Sequence, residues 1–448
     1  MAANNQKDSA QGPHKKPSEP ANFNRIKLLR NKKKTASHAA RLLGSPTSGN
    51  FFFVILFKMI AQLALLPTLA FAASASDFIK SEKTQFRAIV LVSGLQNPWA
   101  LAFLPDSRIL ITELSGRLRI FENNELRPEP IEGTPEVFSF GQGGLLDIEL
   151  HPDYPKNGWI YLAYVEPKNG GGLTKIIRGR LKNYQWVDQE TIFEAPEEEY
   201  SRGGVHFGCR MEFDSQNHLY FTIGDRGDLP TPQNNAQNLS NSKGKCHRVR
   251  DDGSIPPDNP FAGQPGLCQS IWTYGNRNIQ GLRFHPSDGT LWASEHGPRG
   301  GDEINILTRG ANYGWPIVSY GLNYDGSTFT DKTEAPGITP PVLEWTPCIA
   351  PSGIEFYTGS AFPAWKGNLF VAALGLQKLV RLEISNNTKI THQEDLLEKS
   401  GRIRDVRQGP DGLLYILYDK PGKIVRLEPS PSTHPISKSS NHSPSKPE

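Results

Sequence analysis

Only four cysteines occur in 448 residues, and no two are spaced as C-x-x-C, which argues against a zinc site built from cysteine. Other absences restrict the function further. The chain has no G-x-S-x-G elbow for a serine hydrolase and no H-E-x-x-H for a zinc protease. No G-x-G-x-x-G joins a strand to a helix, which removes the usual nicotinamide dinucleotide site. A redox role would therefore need a cofactor held by other means. Net positive charge is also missing from the body of the chain. The net charge is +3, but residues 1–50 carry +8 (ten Lys/Arg against Asp8 and Glu19), leaving −5 on residues 51–448. Phosphate backbones are bound by clustered Lys and Arg, so nucleic acid is a poor partner for that part.

The ends of the chain read as processing and tail segments. Residues 1–50 are a basic, polar tail expected to be disordered. Residues 51–75, beginning FFFVILFKMIAQLALL, combine a basic flank, an apolar run and a small-residue end, the three parts of a secretory signal. Lys58 interrupts the run, and a start at Met59 would give a shorter leader. An exported location, periplasmic or extracellular, is expected; a membrane is a partner only if the segment stays uncleaved as an anchor. Residues 430–448 have almost nothing apolar to bury and are expected to be disordered. In an oxidising compartment Cys209, Cys246, Cys268 and Cys348 allow three pairings. Cys246 with Cys268 is the favoured one because it would close a long loop between two strands; four buried free thiols are the alternative.

The body of the chain is repetitive. Six stretches each run from an apolar pair through a turn rich in Pro, Asp, Gly or Asn into a β-rich segment. They begin at Ala100 (ALAFLPDSRILITEL), Asp147, Met211, Gly281, Gly353 and Asp405. Short strands and turns repeating at roughly 40 to 80 residues indicate one propeller blade per unit. Forty-two glycines and thirty-six prolines suit such a turn-rich protein. The expected fold is all-β: a six-bladed propeller of four-stranded antiparallel blades over residues 76–429. Loops at one end of its central channel would converge on a single site.

Candidate chemistry lies in the inserts between repeats, where polar residues collect without β alternation. SFGQGGLLDIELHP carries Gln142. SRGGVHFGCRMEF carries His206 and Arg210 around Gly208, and an imidazole in such a loop suits a general base. TYGNRNIQGLRFHPSDGTLWASEHGPRGGDEINIL gathers Arg277, Asn278, Gln280, Glu295, His296, Arg299, Asp302 and Glu303. SGRIRDVRQGPDG places Arg402 and Arg404 two apart, on one face of a strand. Two alternating arginines with Arg277 form a receptor for a planar polyanion, the alternative being surface ion pairs. The turn in SEHGPRGGDE either aims main-chain carbonyls at a hard cation or is a plain turn with Asp302 and Glu303 solvated. His151 and His285, each before a proline, read as structural.

These motifs, with GKCHRVRDDGSIPPDNPF, GANYGWP and APSGIEFY, resemble the soluble quinoprotein sugar dehydrogenases, the glucose/sorbosone and aldose sugar dehydrogenases. The resemblance runs from about Gly94 to Leu427. It implies a six-bladed propeller that uses pyrroloquinoline quinone and Ca2+ to oxidise an aldose, passing electrons to an external acceptor. By position His206 matches the family's catalytic base and Gln142 the glutamine near substrate and cofactor. Arg210, four residues after the base, is expected, like Gln142, to lie next to substrate or cofactor. Arg277 and Asn278 match the cofactor-contacting pair, Arg402 and Arg404 the arginines on its carboxylates, and Gly297 and Pro298 the calcium-binding carbonyls. Two departures stand out. The acidic residue preceding the base in the classical glucose enzyme is Val205 here, so no neighbour in sequence orients His206. The cofactor lysine of that enzyme falls near Gly375; either Lys378 substitutes for it or nothing does. Its substrate contacts fall near Leu343, Thr346 and Cys348, which places the chain nearer the aldose branch. A non-catalytic carbohydrate- or protein-binding propeller is the reading from another class, and a calcium-dependent lactonase a third.

Overall fold

The computed structural model describes residues 78–231 and 233–430; the N-terminal tail, the signal-like segment and residues 431–448 lie outside them. The six repeats form six antiparallel sheets. Blade 1 comprises Pro98–Phe103, Ile109–Glu113, Leu118–Glu122 and Glu125–Leu126. Blade 2 comprises Leu145–Leu150, Ile160–Lys168, Gly171–Lys182 and Gln185–Phe193; blade 3, Met211–Phe213, His218–Ile223, Lys245–Arg250 and Ile271–Tyr274. Blade 4 comprises Ile279–Phe284, Leu291–Glu295, Asp302–Leu307 and Leu343–Trp345; blade 5, Pro351–Phe356, Leu369–Ala373, Lys378–Ser385 and Lys389–Leu396. Blade 6 is composite. Arg402–Gln408, Leu414–Lys420 and Lys423–Pro429 are completed by Gln85–Ser93 from the other end of the domain, and Ile79–Lys80 adds a short fifth strand. Phe86 registers with Pro429 and Ser93 with Lys423, so main-chain hydrogen bonds between the two ends close the ring.

The first strand of each blade is innermost, and neighbouring first strands pack into a closed circle about the axis. Strand alternation then divides their side chains. In blade 3 Met211 and Phe213 enter the apolar layer between blades, while Glu212 joins the charges at the axis. Apolar clusters fill every blade interface, from Trp99, Ile148 and Phe221 across blades 1 to 3 to Ile111 and Leu417 between blades 1 and 6. The axis itself is ionic. Arg210 lies 2.9 Å from Asp147 and 3.2 Å from Asp405. Further along, Arg283 meets Glu212, Glu355 and Glu149.

The expected Cys246–Cys268 pair is not formed; all four cysteines are free thiols. Alternation along Lys245–Arg250 explains it. Cys246 points into the apolar layer with Tyr220 and Leu282, whereas its neighbour His247 faces Ser270, beside which Cys268 lies at 3.4 Å. The two thiols sit on opposite faces of one strand.

Phe86 is fully buried on the closing strand, its ring edge-on to Trp365 at 5.4 Å. Phe86→Ala should cost about 3–5 kcal/mol, read as a lowered urea midpoint with an unchanged denaturant slope.

Candidate active site

The innermost strands begin, and the second strands end, at the same mouth of the channel. A cavity of about 350 Å3 opens there, lined by Trp99, Gln142, Gly208, Gln280, His296, Ala350, Arg402, Arg404, Asp419 and Lys420 among others. His296 also lines an adjoining cleft with Arg277, Glu295, Gly297, Pro298 and Trp315. His206 is tied to this mouth through its amide, which donates to Gln142 Oε1 at 2.8 Å. Asn278 Oδ1 accepts from the Gly208 amide at 3.1 Å. The inserts of blades 2, 3, 4 and 6 therefore do converge. Arg210 does not reach the pocket: it is 1% exposed and lies beneath the floor, its guanidinium 4.3 Å from the Trp99 ring. A cavity of about 440 Å3 under the blade 4 insert, lined by Tyr313, Val318, Tyr320 and Ile338, contains neither His206 nor any of the predicted arginines.

His206 is oriented from a distant part of the sequence. Its Nδ1 lies 2.6 Å from Asp225 Oδ1, nineteen residues away. Asp225 is itself fixed: Oδ2 accepts from Trp315 Nε1 at 2.7 Å and Oδ1 from the Gly227 amide at 2.8 Å. An ionised carboxylate only accepts, so Nδ1 carries the hydrogen and Nε2 is left as the basic nitrogen. Burial is the largest influence on the imidazole. With the charges of Arg277 and Arg226 it outweighs Asp225 and holds the pKa below the ordinary histidine value, which favours the neutral ring. Asp225 and Trp315 are the residues sequence reasoning missed.

The pocket has more positive charge than its carboxylates offset. Arg402 Nε and Arg404 Nη2 share Asp419 at 3.2 and 3.6 Å. Arg404 also donates to Gln280 Oε1 at 3.0 Å, and its buried Nε has no partner among the described residues. Burial, the main cause, presses its pKa down to about 10, still charged at neutrality. Arg277 donates to the carbonyls of Gly297 at 2.6 Å and His296 at 3.2 Å, and its Nε is likewise unpartnered. Such orphaned, partly desolvated donors fit a ligand bearing several carboxylates.

The SEHGPRGGDE turn is not a plain solvated one. Asp302 is 1% exposed and accepts from the amides of Gly297 at 2.8 Å and Ala350 at 2.7 Å, and Glu303 is largely enclosed. The loop folds so tightly that a Cβ on Gly297 would lie 2.2 Å from the Gly301 carbonyl oxygen. Its Gly297 oxygen faces the cationic Arg277, and its Pro298 oxygen accepts from Cys348 Sγ at 3.4 Å. No cluster of three or more acidic, histidine or cysteine side chains able to hold a metal occurs among the described residues. Lys378 is not in the pocket. It pairs with Asp395 at 2.6 Å on the outer strand of blade 5, and the lysine that lines the pocket is Lys420.

Fold and site together define a six-bladed propeller with an arginine-rich pocket at one mouth of its channel, beside a carboxylate-oriented imidazole. The chain belongs to the glucose/sorbosone dehydrogenase family, whose model matches residues 95–426. It is 41% identical over 348 residues to the aldose sugar dehydrogenase YliI of Escherichia coli, covering 76% of this chain and 92% of that one. The crystal structure of the soluble aldose sugar dehydrogenase from E. coli in its apo form superposes with a TM-score of 0.72 at 38% identity, covering 77% of this chain and all of that one. The PQQ-bound aldose sugar dehydrogenase of Streptomyces coelicolor matches with a TM-score of 0.63 at 27% identity, over 76% of this chain and 96% of that one. The protein is an oxidoreductase acting on sugars.

Asp225 raises the His206 pKa against the burial that lowers it. Asp225→Asn should therefore lower it further, seen as a more acidic midpoint for the His206 ring in an NMR titration.

Proposed function

We propose that the protein oxidises aldoses at the anomeric carbon to lactones, with pyrroloquinoline quinone and Ca2+ as cofactors and an external electron acceptor. The observation that carries this reading is the carboxylate-oriented His206 beside a pocket with an excess of guanidinium groups. When bound, the quinone supplies a two-electron acceptor for the sugar, and a cation beside it supplies Lewis acidity. Arg402 and Arg404 would hold the cofactor carboxylates, and Arg277 with Asn278 would supply further polar contacts to it. The Gly297 and Pro298 carbonyls would hold Ca2+, a hard cation that takes oxygen ligands, with the Gly297 oxygen shared with or released by Arg277 Nη1, which now donates to it.

The protein's own chemistry is proton transfer. His206 Nε2 takes the proton of the anomeric hydroxyl as a hydride leaves the same carbon, which turns the hemiacetal into a lactone. Asp225 keeps the ring in the tautomer that can accept and stabilises the imidazolium that forms. Gln142 fixes the loop through the His206 amide. An exported location is proposed from the segment at residues 51–75, and none of the described helices is long and apolar enough to cross a membrane.

His206→Gln should lower single-turnover sugar oxidation about 100- to 10,000-fold while quinone binding persists. Because burial lowers the imidazole pKa, the wild-type rate should stay level through neutrality and fall only on acidification below the usual imidazole range, as the base becomes protonated. A rate that falls already above pH 7 would contradict this base. Arg404→Ala should weaken quinone binding far more than folding, because a charge-assisted pair is lost; titration of quinone against both proteins, each with its melting curve, measures the two effects.

A further inference from the structure

Arg226 follows Asp225 directly and is 6% exposed, yet its hydrogen bonds all go to main-chain oxygens. Its guanidinium donates to the carbonyls of Val205 and Gly203, just before His206, and to Gly172 at 3.4 Å on the third strand of blade 2. The guanidinium carbon lies 3.5 Å from the centroid of Phe207, the residue after His206. It makes no ion pair among the described residues, and its Nε has no partner. Burying a guanidinium without a counter-ion is costly, and packing alone would be served by an apolar side chain. What it grips is strained: His206 has φ 53°, a left-handed conformation that a residue with a Cβ seldom adopts. Two consecutive residues thus hold His206 from both sides, Asp225 by its ring and Arg226 by the main chain of the residues that lead into it.

We infer that Arg226 is a positioning residue for His206, a carbonyl clamp that pins the Gly203–Phe207 loop to blade 2 and so sets where the imidazole meets the sugar. The inference rests on the reading of His206 as the base. It also accounts for Val205. With no acidic neighbour before the histidine, the loop is held from the other strand end of blade 3. The charged or titratable groups facing the imidazole are Asp225, Arg226, Arg277 and His296.

The test compares wild type, Arg226→Gln, Arg226→Lys and His206→Gln. Single-turnover oxidation of an aldose by the quinone-loaded enzyme gives the rate. NMR of histidine-labelled, cofactor-free protein gives the His206 tautomer and pKa, with His206→Gln assigning the signal. Arg226→Gln should fold, bind quinone as wild type does, and lose about 100-fold in rate, the order expected of a misplacement near 1 Å. Its His206 should titrate at higher pH, since a nearby positive charge is gone. Arg226→Lys, which keeps the charge but not the planar fork, should fall between the two in rate, and it carries the test if the glutamine variant does not fold. A folded variant with a wild-type rate overturns the inference, as does a rate loss with an unchanged His206 signal, which would mark a purely structural role. If the His206 signal moves in the Arg226 variants but His206→Gln stays within about tenfold of wild type, the clamp is supported and the base assignment falls.

Discussion

Arg210 between Asp147 and Asp405 is the interaction on which the site's geometry depends. Asp147 comes from the innermost strand of blade 2, Arg210 from the entry to blade 3 and Asp405 from blade 6, so one guanidinium joins three of the six inner strands. Arg407 ties the same carboxylates together at 3.3 and 2.9 Å. Asp147 also accepts from the Met211 amide at 2.7 Å, fixing where the third blade begins. His206 lies four residues before Arg210 and Arg404 one residue before Asp405, so both functional side chains leave the axis at points this network sets. Removing one partner of such a pair leaves an uncompensated buried charge, at a cost of about 3–5 kcal/mol. The network therefore holds the inner strands in place from beneath, while the pocket above it keeps its excess of positive charge for a ligand.

The mouth and the axis handle charge in opposite ways. At the axis, carboxylates outnumber guanidinium groups, and burial pushes them toward holding their protons; Glu149 rises to about 8 and Glu212 and Glu355 to about 7. At the mouth, Arg402, Arg404 and Lys420 line a pocket with Asp419 as the facing carboxylate. The body of the chain is slightly acidic overall, so this local reversal of sign suits a small anion better than a polyanionic polymer.

Most of the fold was legible because a propeller blade is local: each repeat contains its own turn and its own alternation. The closing strand was not. Gln85–Ser93 has no partner nearby in sequence, and its pairing with Lys423–Pro429 spans the whole domain. The arginines could be read from their two-residue spacing. Asp225 could not be tied to His206, since strand geometry rather than sequence distance brings them together; the only signal was an acid at the end of an apolar strand, GD after YFTI, at the same mouth as the inserts. Arg210 and Lys378 misled because a charged side chain near a motif can as readily neutralise the interior or an outer strand. The cysteine pairing failed on alternation, which a loop-closure argument ignores.

The central claim is that the under-neutralised mouth receives the quinone beside His206. A crystal structure of the protein grown with pyrroloquinoline quinone and Ca2+ tests it most directly. The account predicts quinone carboxylates in contact with Arg402 and Arg404, and the cation on the Gly297 and Pro298 carbonyls. Quinone bound elsewhere, or an empty mouth at saturating quinone, would contradict it.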